Sequence, residues 1–205
     1  AIHSNQAIVS IMVQAAREAV AGFPNDAIQV VPTTDREAVP ILLSMTEYID
    51  LCMPRGGESL IRAVASSSRI PVIKHYKGVC HVYVDGEADL EMAEAVALNS
   101  KCHRPGVCNA IETLIVDRGI AEQFLPAAAK TFAGQDVEFR VDEAAKKILS
   151  DSGASIKMAD ATEDDWHAEY LDLILAVRVV DGIDGAIDHI NDYGSGHSDS
   201  IVTSN

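Results

Sequence analysis

Short runs of β-branched and apolar residues alternate with helical patterns along most of this 205-residue chain. Strand-like runs lie at residues 27–31, 48–53, 70–73, 79–84 and 110–116, each separated from the next by a turn or a helical segment. Regular alternation of this kind is typical of a mostly parallel sheet, because parallel strands need crossover connections that are usually helices. The sequence therefore predicts an α/β fold.

An excess of acidic residues, 31 against 16 Lys and Arg, gives the chain a formal net charge of −15. Phosphate backbones and anionic lipid surfaces repel such a charge, which argues against nucleic-acid and membrane partners. No apolar run reaches the roughly 20 residues of a membrane span. The first residues lack the features of a secretory leader, and four sparse cysteines fit a reducing compartment. We therefore expect a cytoplasmic protein with a small-molecule substrate.

The character of the chain changes after Asp85, and we expect two domains, at residues 1–85 and 86–205. The first domain has helical patterns at 5–21, 35–45 and 58–66. In the second, we expect an acidic loop at 160–165. Its other expected elements are helices at 88–99, 120–132, 143–149 and 183–191 and strands at 110–116, 137–141, 171–180 and 199–203.

A glycine pair lies at a predicted strand-to-helix junction, in the segment Met53-Pro54-Arg55-Gly56-Gly57-Glu58. Glycines there let backbone amides approach an anion, and the following helix N-terminus adds partial positive charge. The carboxyl ends of strands are also where nucleotides bind in open α/β sheets. An ordinary tight turn would use the same residues, and the segment matches neither GxGxxG nor a P-loop. Phosphate binding and a simple turn both remain open.

A second segment of chemical interest, Lys101-Cys102-His103-Arg104-Pro105-Gly106-Val107-Cys108-Asn109-Ala110, precedes a predicted strand. Pro105 and Gly106 indicate a loop, the kind of connection that carries reactive groups. Arg104 could hold an anionic substrate or stabilise a thiolate, and Asn109 could donate to a developing oxyanion. Cys108 is either a nucleophile or a buried structural cysteine, which is the commonest fate of a free thiol.

Two Cys-His dipeptides, Cys80-His81 and Cys102-His103, invite comparison with metal sites. Structural zinc sites usually contain close ligand pairs such as CxxC, and neighbouring residues on a strand point to opposite faces. We therefore expect no metal. We expect His189 on the surface or on a helix face, and Cys80 as a small apolar side chain in a strand.

Three motifs in one order resemble a known family. They are IDLCMPRGG at residues 49–57, GVCHVYVD at 78–85, and RPGVCN at 104–109 followed by Glu112-Thr113-Leu114. Together with HSDSI at 197–201, they resemble the gamma-glutamyl phosphate reductases, or glutamate-5-semialdehyde dehydrogenases, of the aldehyde dehydrogenase superfamily. The resemblance covers essentially the whole chain. It implies an aldehyde dehydrogenase-like fold, with part of a Rossmann-type dinucleotide-binding domain at 1–85 and an α/β catalytic domain at 86–205.

The resemblance also implies a reaction, the NADPH-dependent reduction of L-glutamyl 5-phosphate to L-glutamate 5-semialdehyde in proline biosynthesis. Cys108 matches the family's catalytic cysteine, which forms a thioester and releases phosphate, and Asn109 follows it in the family pattern. By the same resemblance, the segment Pro54-Arg55-Gly56-Gly57 faces the dinucleotide. Arg104 is expected to contact the anionic substrate, on the basis of its charge and position.

Two departures from the family pattern qualify these expectations. Many aldehyde dehydrogenases carry a water-activating glutamate near the position of Lys74, and a lysine there suits a reductase that must avoid hydrolysis. Family members are also longer than this chain, and the full-length enzyme is expected to form a homo-oligomer. Three alternatives therefore stay open: a catalytically incomplete fragment, a silent binding scaffold, and the reductase half of a bifunctional kinase–reductase.

Overall fold

A computed structural model describes residues 2–205. The chain divides into two compact units, one running to Tyr76 and the other from Lys77 to Asn205. The division falls earlier than the expected boundary at Asp85, because the strand Cys80–Val84 pairs on both sides with strands of the second unit. That strand therefore belongs to the sheet of the second unit.

Three helices form most of the regular structure of the first unit: α1 (Ile2–Ala19), α2 (Ala38–Leu42) and α3 (Glu58–Ser67). The helices expected at 5–21 and 58–66 are present. The one expected at 35–45 is shorter, because α2 has only five residues. The buried apolar side chains of this unit are few, namely Leu43, Ile61, Val64 and Ile70.

The strands expected in the first unit, at 27–31, 48–53 and 70–73, do not form in the described residues. The latter two runs meet in one parallel bridge between Cys52 and Val72, closed by two backbone hydrogen bonds of 2.9 Å. A strand exists only where a neighbour extends its hydrogen-bond ladder. Within residues 2–76, no further backbone pairing extends the bridge between Cys52 and Val72. A β-branched composition alone therefore does not produce a strand.

A six-stranded sheet organises the second unit. Its order is β4-β3-β5-β2-β1-β6 and every neighbouring pair is parallel, which confirms the predicted α/β class. The strands are β1 (Cys80–Val84), β2 (Ile111–Asp117), β3 (Glu138–Val141), β4 (Lys157–Asp160), β5 (Ile174–Val180) and β6 (Asp199–Val202).

The main hydrophobic core lies on one face of this sheet. Alternate strand residues such as Leu114, Val116 and Val177 pack there against alanine-rich helices, and Phe132 contacts Phe139 edge to face. A smaller apolar cluster occupies the opposite face. The helices of the unit are α4 (Leu90–Cys102), α5 (Arg118–Ala133), α6 (Glu143–Asp151), α7 (Glu163–Trp166) and α8 (Gly182–Tyr193).

The helix expected at 120–132 is present as α5, which continues through Pro126. One element of the second unit differs from expectation. The segment expected to be an acidic loop at 160–165 instead contains the end of β4 and the short helix α7. α7 begins at a capping box in which Asp165 accepts a 2.7 Å hydrogen bond from the Thr162 N–H. No helix in residues 2–205 is both long and apolar enough to cross a membrane.

Candidate functional site

The amino ends of four neighbouring strands, β5, β2, β1 and β6, lie at the same edge of the sheet because all of them are parallel. The segments leading into these strands therefore meet there. They include Gly78 before β1, Cys108 before β2, Glu169 before β5 and His197 before β6. The nucleotide-binding position predicted from the sequence was a different one, the 53–58 segment after a predicted strand. The cluster described here lies at the amino ends of strands.

Two consecutive turns form the loop that carries Cys108. The Val107 N–H donates to the Arg104 carbonyl at 3.3 Å, with Pro105 and Gly106 between them. The Ala110 N–H then donates to the Val107 carbonyl at 3.0 Å, which makes Cys108 the first central residue of the second turn. The Cys108 side chain is exposed. The interpretation of Cys108 as a buried structural cysteine is therefore wrong.

The carbonyl of Cys108 lies against Cys80, the first residue of β1, and Gly78, which precedes that strand. The buried Cys80 thiol donates to it, with a distance of 3.2 Å from Sγ to the oxygen. A Cβ on Gly78 would overlap the same carbonyl, so only glycine allows this close approach. The Gly78 N–H donates to a Glu169 carboxylate oxygen at 2.9 Å. The backbone of Cys108 is thus fixed while its thiol remains accessible.

Sequence reasoning missed the roles of Gly78 and Glu169 at this site. Gly78 lies inside a quoted motif, and an isolated glycine before a strand is a signal of close backbone approach. Nothing in the sequence pairs Glu169 with it, because their contact depends on strand order. The expected burial of Cys80 is correct, and that burial raises the pKa of its thiol to about 11.

Two backbone donors near the thiol are available to a ligand. Within residues 2–205, no hydrogen bond uses the N–H of Cys108 or of Asn109. Arg104 and Asn109 line one cleft of about 360 Å³, together with Ser100, His103 and neighbouring residues. Cys108 does not line that cleft. The structure therefore brings Arg104 and Asn109 together, with Cys108 between them in sequence but outside their cleft.

A buried ion pair flanks the loop. Lys101, in the last turn of α4, contacts Glu112, the second residue of β2, with 2.6 Å between Nζ and Oε2. Both side chains are fully buried. Burial lowers the pKa of Lys101 and raises that of Glu112, and the Coulomb attraction between them opposes both shifts.

The glycine turn at 54–57 belongs to the first unit. Gly56 has a φ of +151°, and a Cβ there would lie 2.8 Å from the Leu60 side chain. A Cβ on Gly57 would meet nothing within 4 Å, so this backbone is open to approach. Gly57 caps the N-terminus of α3, whose first residue, Glu58, pairs with Arg62 at 2.7 Å.

The two histidines expected to lack a metal role have other partners. His81 is buried on the face opposite Cys80, with its Nδ1 2.7 Å from Asp199. His189 lies on helix α8, the second of its two expected positions, but it is buried rather than exposed, and its Nδ1 accepts a 2.6 Å hydrogen bond from Arg178. Burial and the Arg178 charge lower the pKa of His189 to about 3. No cluster of three potential metal ligands occurs in the described part of the chain.

Comparison with known proteins places this arrangement in a family. The sequence model of the Aldehyde dehydrogenase family matches residues 3–147. The chain is 57% identical over 206 aligned residues to a gamma-glutamyl phosphate reductase of Persephonella marina, covering 100% of this chain and 46% of the relative. A second such reductase, from Geobacter metallireducens, is 53% identical, with 99% and 47% covered. The chain thus spans about half the length of these curated relatives.

Solved structures agree with the sequence comparison. The crystal structure of a gamma-glutamyl phosphate reductase from Thermotoga maritima has a TM-score of 0.85 and 42% identity, covering 100% of this chain and 47% of that one. An acetylating aldehyde dehydrogenase from Geobacillus thermoglucosidasius shares the fold, with a TM-score of 0.67, 22% identity, and 96% and 50% covered. The expected aldehyde dehydrogenase-like fold is therefore confirmed, and the chain belongs to the aldehyde dehydrogenase family.

Proposed function

We propose that this chain is the part of a gamma-glutamyl phosphate reductase that carries the nucleophile. The longer enzyme would reduce L-glutamyl 5-phosphate to L-glutamate 5-semialdehyde in proline biosynthesis, releasing phosphate. The observation that carries the proposal is the exposed Cys108 thiol on a backbone fixed by Gly78 and Cys80. High identity to two reductases of that name, over nearly all of the chain, supports the choice of substrate.

Cys108 would act as a nucleophile in acyl transfer. Its thiolate attacks the acyl carbon of the acyl phosphate, the carbon–oxygen bond to phosphate breaks, and a thioester forms on Sγ. Hydride addition to the thioester carbon and cleavage of the carbon–sulfur bond then release the aldehyde and regenerate the thiolate. In the family pattern, Lys74 replaces a carboxylate that would activate water, which favours reduction over hydrolysis.

Negative charge develops on the acyl oxygen during both steps, and donors fixed near Cys108 would stabilise it. The N–H groups of Cys108 and Asn109 have no other hydrogen bond within residues 2–205. The Asn109 side-chain amide is a third possible donor. Donors held in place before the reaction are the most effective, because they need no reorganisation when charge appears.

Arg104 would contact an anionic group of the substrate. It lies at the first position of the turn that leads to Cys108, and it lines the 360 Å³ cleft with Asn109. A guanidinium can bind phosphate or carboxylate through two parallel hydrogen bonds. Because the chain carries a net charge of −15, a local cation is needed to attract a substrate with several negative charges.

The segment Pro54-Arg55-Gly56-Gly57 would bind NADPH, which supplies the hydride when bound. The backbone fits this role, because the Gly57 position is open and the N-terminus of the ten-residue α3 follows it. Glu58 adds a negative charge at this end, and its ion pair with Arg62 offsets that charge. Arg55 would contribute a cation next to the cofactor's phosphates.

One alternative concerns the 205-residue chain by itself. Among its described residues, the first unit buries few apolar side chains and forms one β-bridge, which favours a chain that is catalytically incomplete alone. We therefore expect it to bind NADPH weakly and to show little or no turnover. Calorimetric titration with NADPH and a turnover assay on the same sample test this, and a micromolar Kd with normal turnover would contradict it.

The reverse reaction tests the proposed function in the longer enzyme. We expect NADP⁺ reduction to require both glutamate 5-semialdehyde and phosphate. Cys108→Ser should lower the rate by about a thousandfold or more, since the nucleophile is lost. Cys102→Ser, six residues earlier on α4, is the matched control and should keep at least half of the parent rate. Full activity of Cys108→Ser would reject the assignment.

A further inference from the structure

The buried ion pair Lys101–Glu112 spans the two ends of the loop that carries Cys108. Lys101 is the penultimate residue of α4, which ends at Cys102, and Glu112 is the second residue of β2. The whole loop, residues 103–110, runs between these two anchors. Their charged atoms are 2.6 Å apart, and the side chains are 0% and 1% exposed. Fixing this distance fixes the separation of the loop's ends.

Glu112 also connects the loop to the segment that leads into β5. Its second carboxylate oxygen accepts a hydrogen bond from the Leu171 N–H at 3.4 Å. Leu171 has a φ of +54°, a left-handed conformation that is unusual for leucine. The Lys101 Nζ lies 5.7 Å from the centre of the Tyr170 ring. Three chain segments therefore converge on one buried pair.

The same segment reaches Cys108 from its other side. Glu169, two residues before Leu171, accepts the Gly78 N–H, and Gly78 packs against the Cys108 carbonyl. The Leu171 carbonyl in turn lies close to Gly106, where a Cβ would be 3.8 Å from it. The 169–171 segment, which Glu112 binds, thus lies close to Gly106 in the first turn and is linked through Gly78 to the Cys108 carbonyl in the second.

Stability alone does not account for burying two charges here. Desolvation of a buried ion pair can exceed the Coulomb attraction it gains, and apolar replacements are often as stable. Conformational specificity is one attested use of such pairs, because leaving a buried charge unpaired in a low-dielectric interior is costly. The structural element that this pair specifies is the loop at 103–110.

We propose that Lys101 and Glu112 form a positioning pair for Cys108, which sets the conformation of the 103–110 loop and thereby the orientation of the thiol and its neighbouring N–H donors. Only the predicted effect on acylation of Cys108 rests on the proposed function. The loop's dependence on the pair is a separate, directly measurable property.

The decisive variant is Lys101→Met with Glu112→Gln, which removes both charges while the glutamine oxygen can still accept the Leu171 N–H. The matched control is Lys146→Met with Asp160→Asn. It removes an exposed ion pair of the same 2.6 Å length between α6 and the carboxyl end of β4. Both variants, with the parent, are studied as the whole chain by thermal unfolding and by amide hydrogen exchange resolved to the 103–110 segment.

We expect the double variant to unfold within a few degrees of the parent, while the hydrogen-bonded loop amides of Val107 and Ala110 exchange about tenfold faster or more. Exchange in α5 and in the control variant should not change. In the longer enzyme, acylation of Cys108 by L-glutamyl 5-phosphate generated in situ should slow about tenfold to a hundredfold, because small misplacements of reacting groups have large effects on rate. The control variant should be acylated at the parent rate.

A folded double variant with parent-like loop exchange and acylation would overturn the proposal. If the double variant does not fold, Glu112→Asp decides, because it keeps the charge but shortens the contact. Glu112→Asp is expected to exchange its 103–110 loop amides faster than the parent does. An unchanged exchange rate overturns the proposal. If the parent itself is not acylated, the proposed function fails while the loop-exchange result still decides the positioning role.

Discussion

The two units of this chain contrast most clearly in two helices of similar length. α1 has 18 residues and none of its described side chains is buried, so Ile8, Ile11 and Met12 are exposed. α5 has 16 residues and buries six of them against the sheet and its neighbouring helices. Helix formation in both follows from local pattern, but within residues 2–205 only α5 packs against a sheet. Tertiary packing, rather than helix propensity, therefore distinguishes the units.

The contrast in packing has a counterpart in the candidate sites. Around Cys108, contacts from Gly78, Cys80 and Glu169 fix the backbone. Around Gly56 and Gly57, the local contacts are those of a turn and a helix cap. The second unit thus holds its candidate groups rigidly, while the first offers an accessible backbone.

The largest expected difference in stability comes from truncating one apolar side chain in each helix. Phe124→Ala in α5 should lower the free energy of unfolding by about 3–5 kcal/mol, because Phe124 is 1% exposed in the main core. Ile11→Ala in α1 should change it by less than about 0.5 kcal/mol, since Ile11 is 67% exposed. Urea unfolding of both variants measures the difference, and equal losses would contradict the contrast.

A glycine in each unit gives the next comparison. Gly78→Ala should destabilise the second unit by about 1–3 kcal/mol, because the new Cβ overlaps the Cys108 carbonyl. It should also displace Cys108 and lower the activity of the longer enzyme. Gly57→Ala is the control, since its Cβ would meet nothing within 4 Å. Unfolding curves for the two variants should differ, and a parent-like Gly78→Ala would show that the close approach is not needed.

A kinetic comparison separates cofactor from substrate binding. Gly56→Val in the longer enzyme should raise the KM for NADPH about tenfold, because a φ of +151° and the Leu60 side chain leave no room for a branched residue. The KM for the acyl phosphate should change far less. Steady-state kinetics with each substrate varied in turn provides both values. An unchanged cofactor KM would remove this turn from the proposed binding site.

The last comparison concerns pH and the buried histidine of the second unit. Since the folded state lowers the pKa of His189 from 6.5 to about 3, protonation favours the unfolded state. The stabilisation is present above pH 6.5 and is lost as the pH falls from there towards 3. His189→Gln should flatten this part of the stability profile, measured by urea unfolding at several pH values. A parent-like pH dependence in His189→Gln would contradict this assignment.

Local sequence pattern predicted the second unit well. Its strands at 79–84, 110–116, 137–141 and 199–203 match the observed ones within a residue or two, because each run finds parallel neighbours in the same unit. The runs in the first unit also contain β-branched and apolar residues, but among residues 2–205 they share only the bridge between Cys52 and Val72. Propensity identifies where a strand can form, and pairing decides whether it does.

The candidate site was predictable only in part, for a related reason. A Pro-Gly loop before a strand is a local signal that made Cys108 and Arg104 candidates, and the family resemblance assigned Cys108 the role of nucleophile. Both roles remain predictions. Glu169 and the Lys101–Glu112 pair were not identifiable in this way, because their roles depend on contacts between segments far apart in sequence or on opposite sides of a loop. Strand order, which brings these segments together at one edge, is not encoded in any local window.

The identity of the acylated residue tests the central claim most directly. The longer enzyme would be mixed with L-glutamyl 5-phosphate generated in situ, without NADPH, quenched in acid and digested for peptide mass spectrometry. We predict a glutamyl thioester on Cys108 alone, with Cys52, Cys80 and Cys102 unmodified. A thioester on any other cysteine, or none on Cys108, would contradict the assignment of Cys108 as the nucleophile.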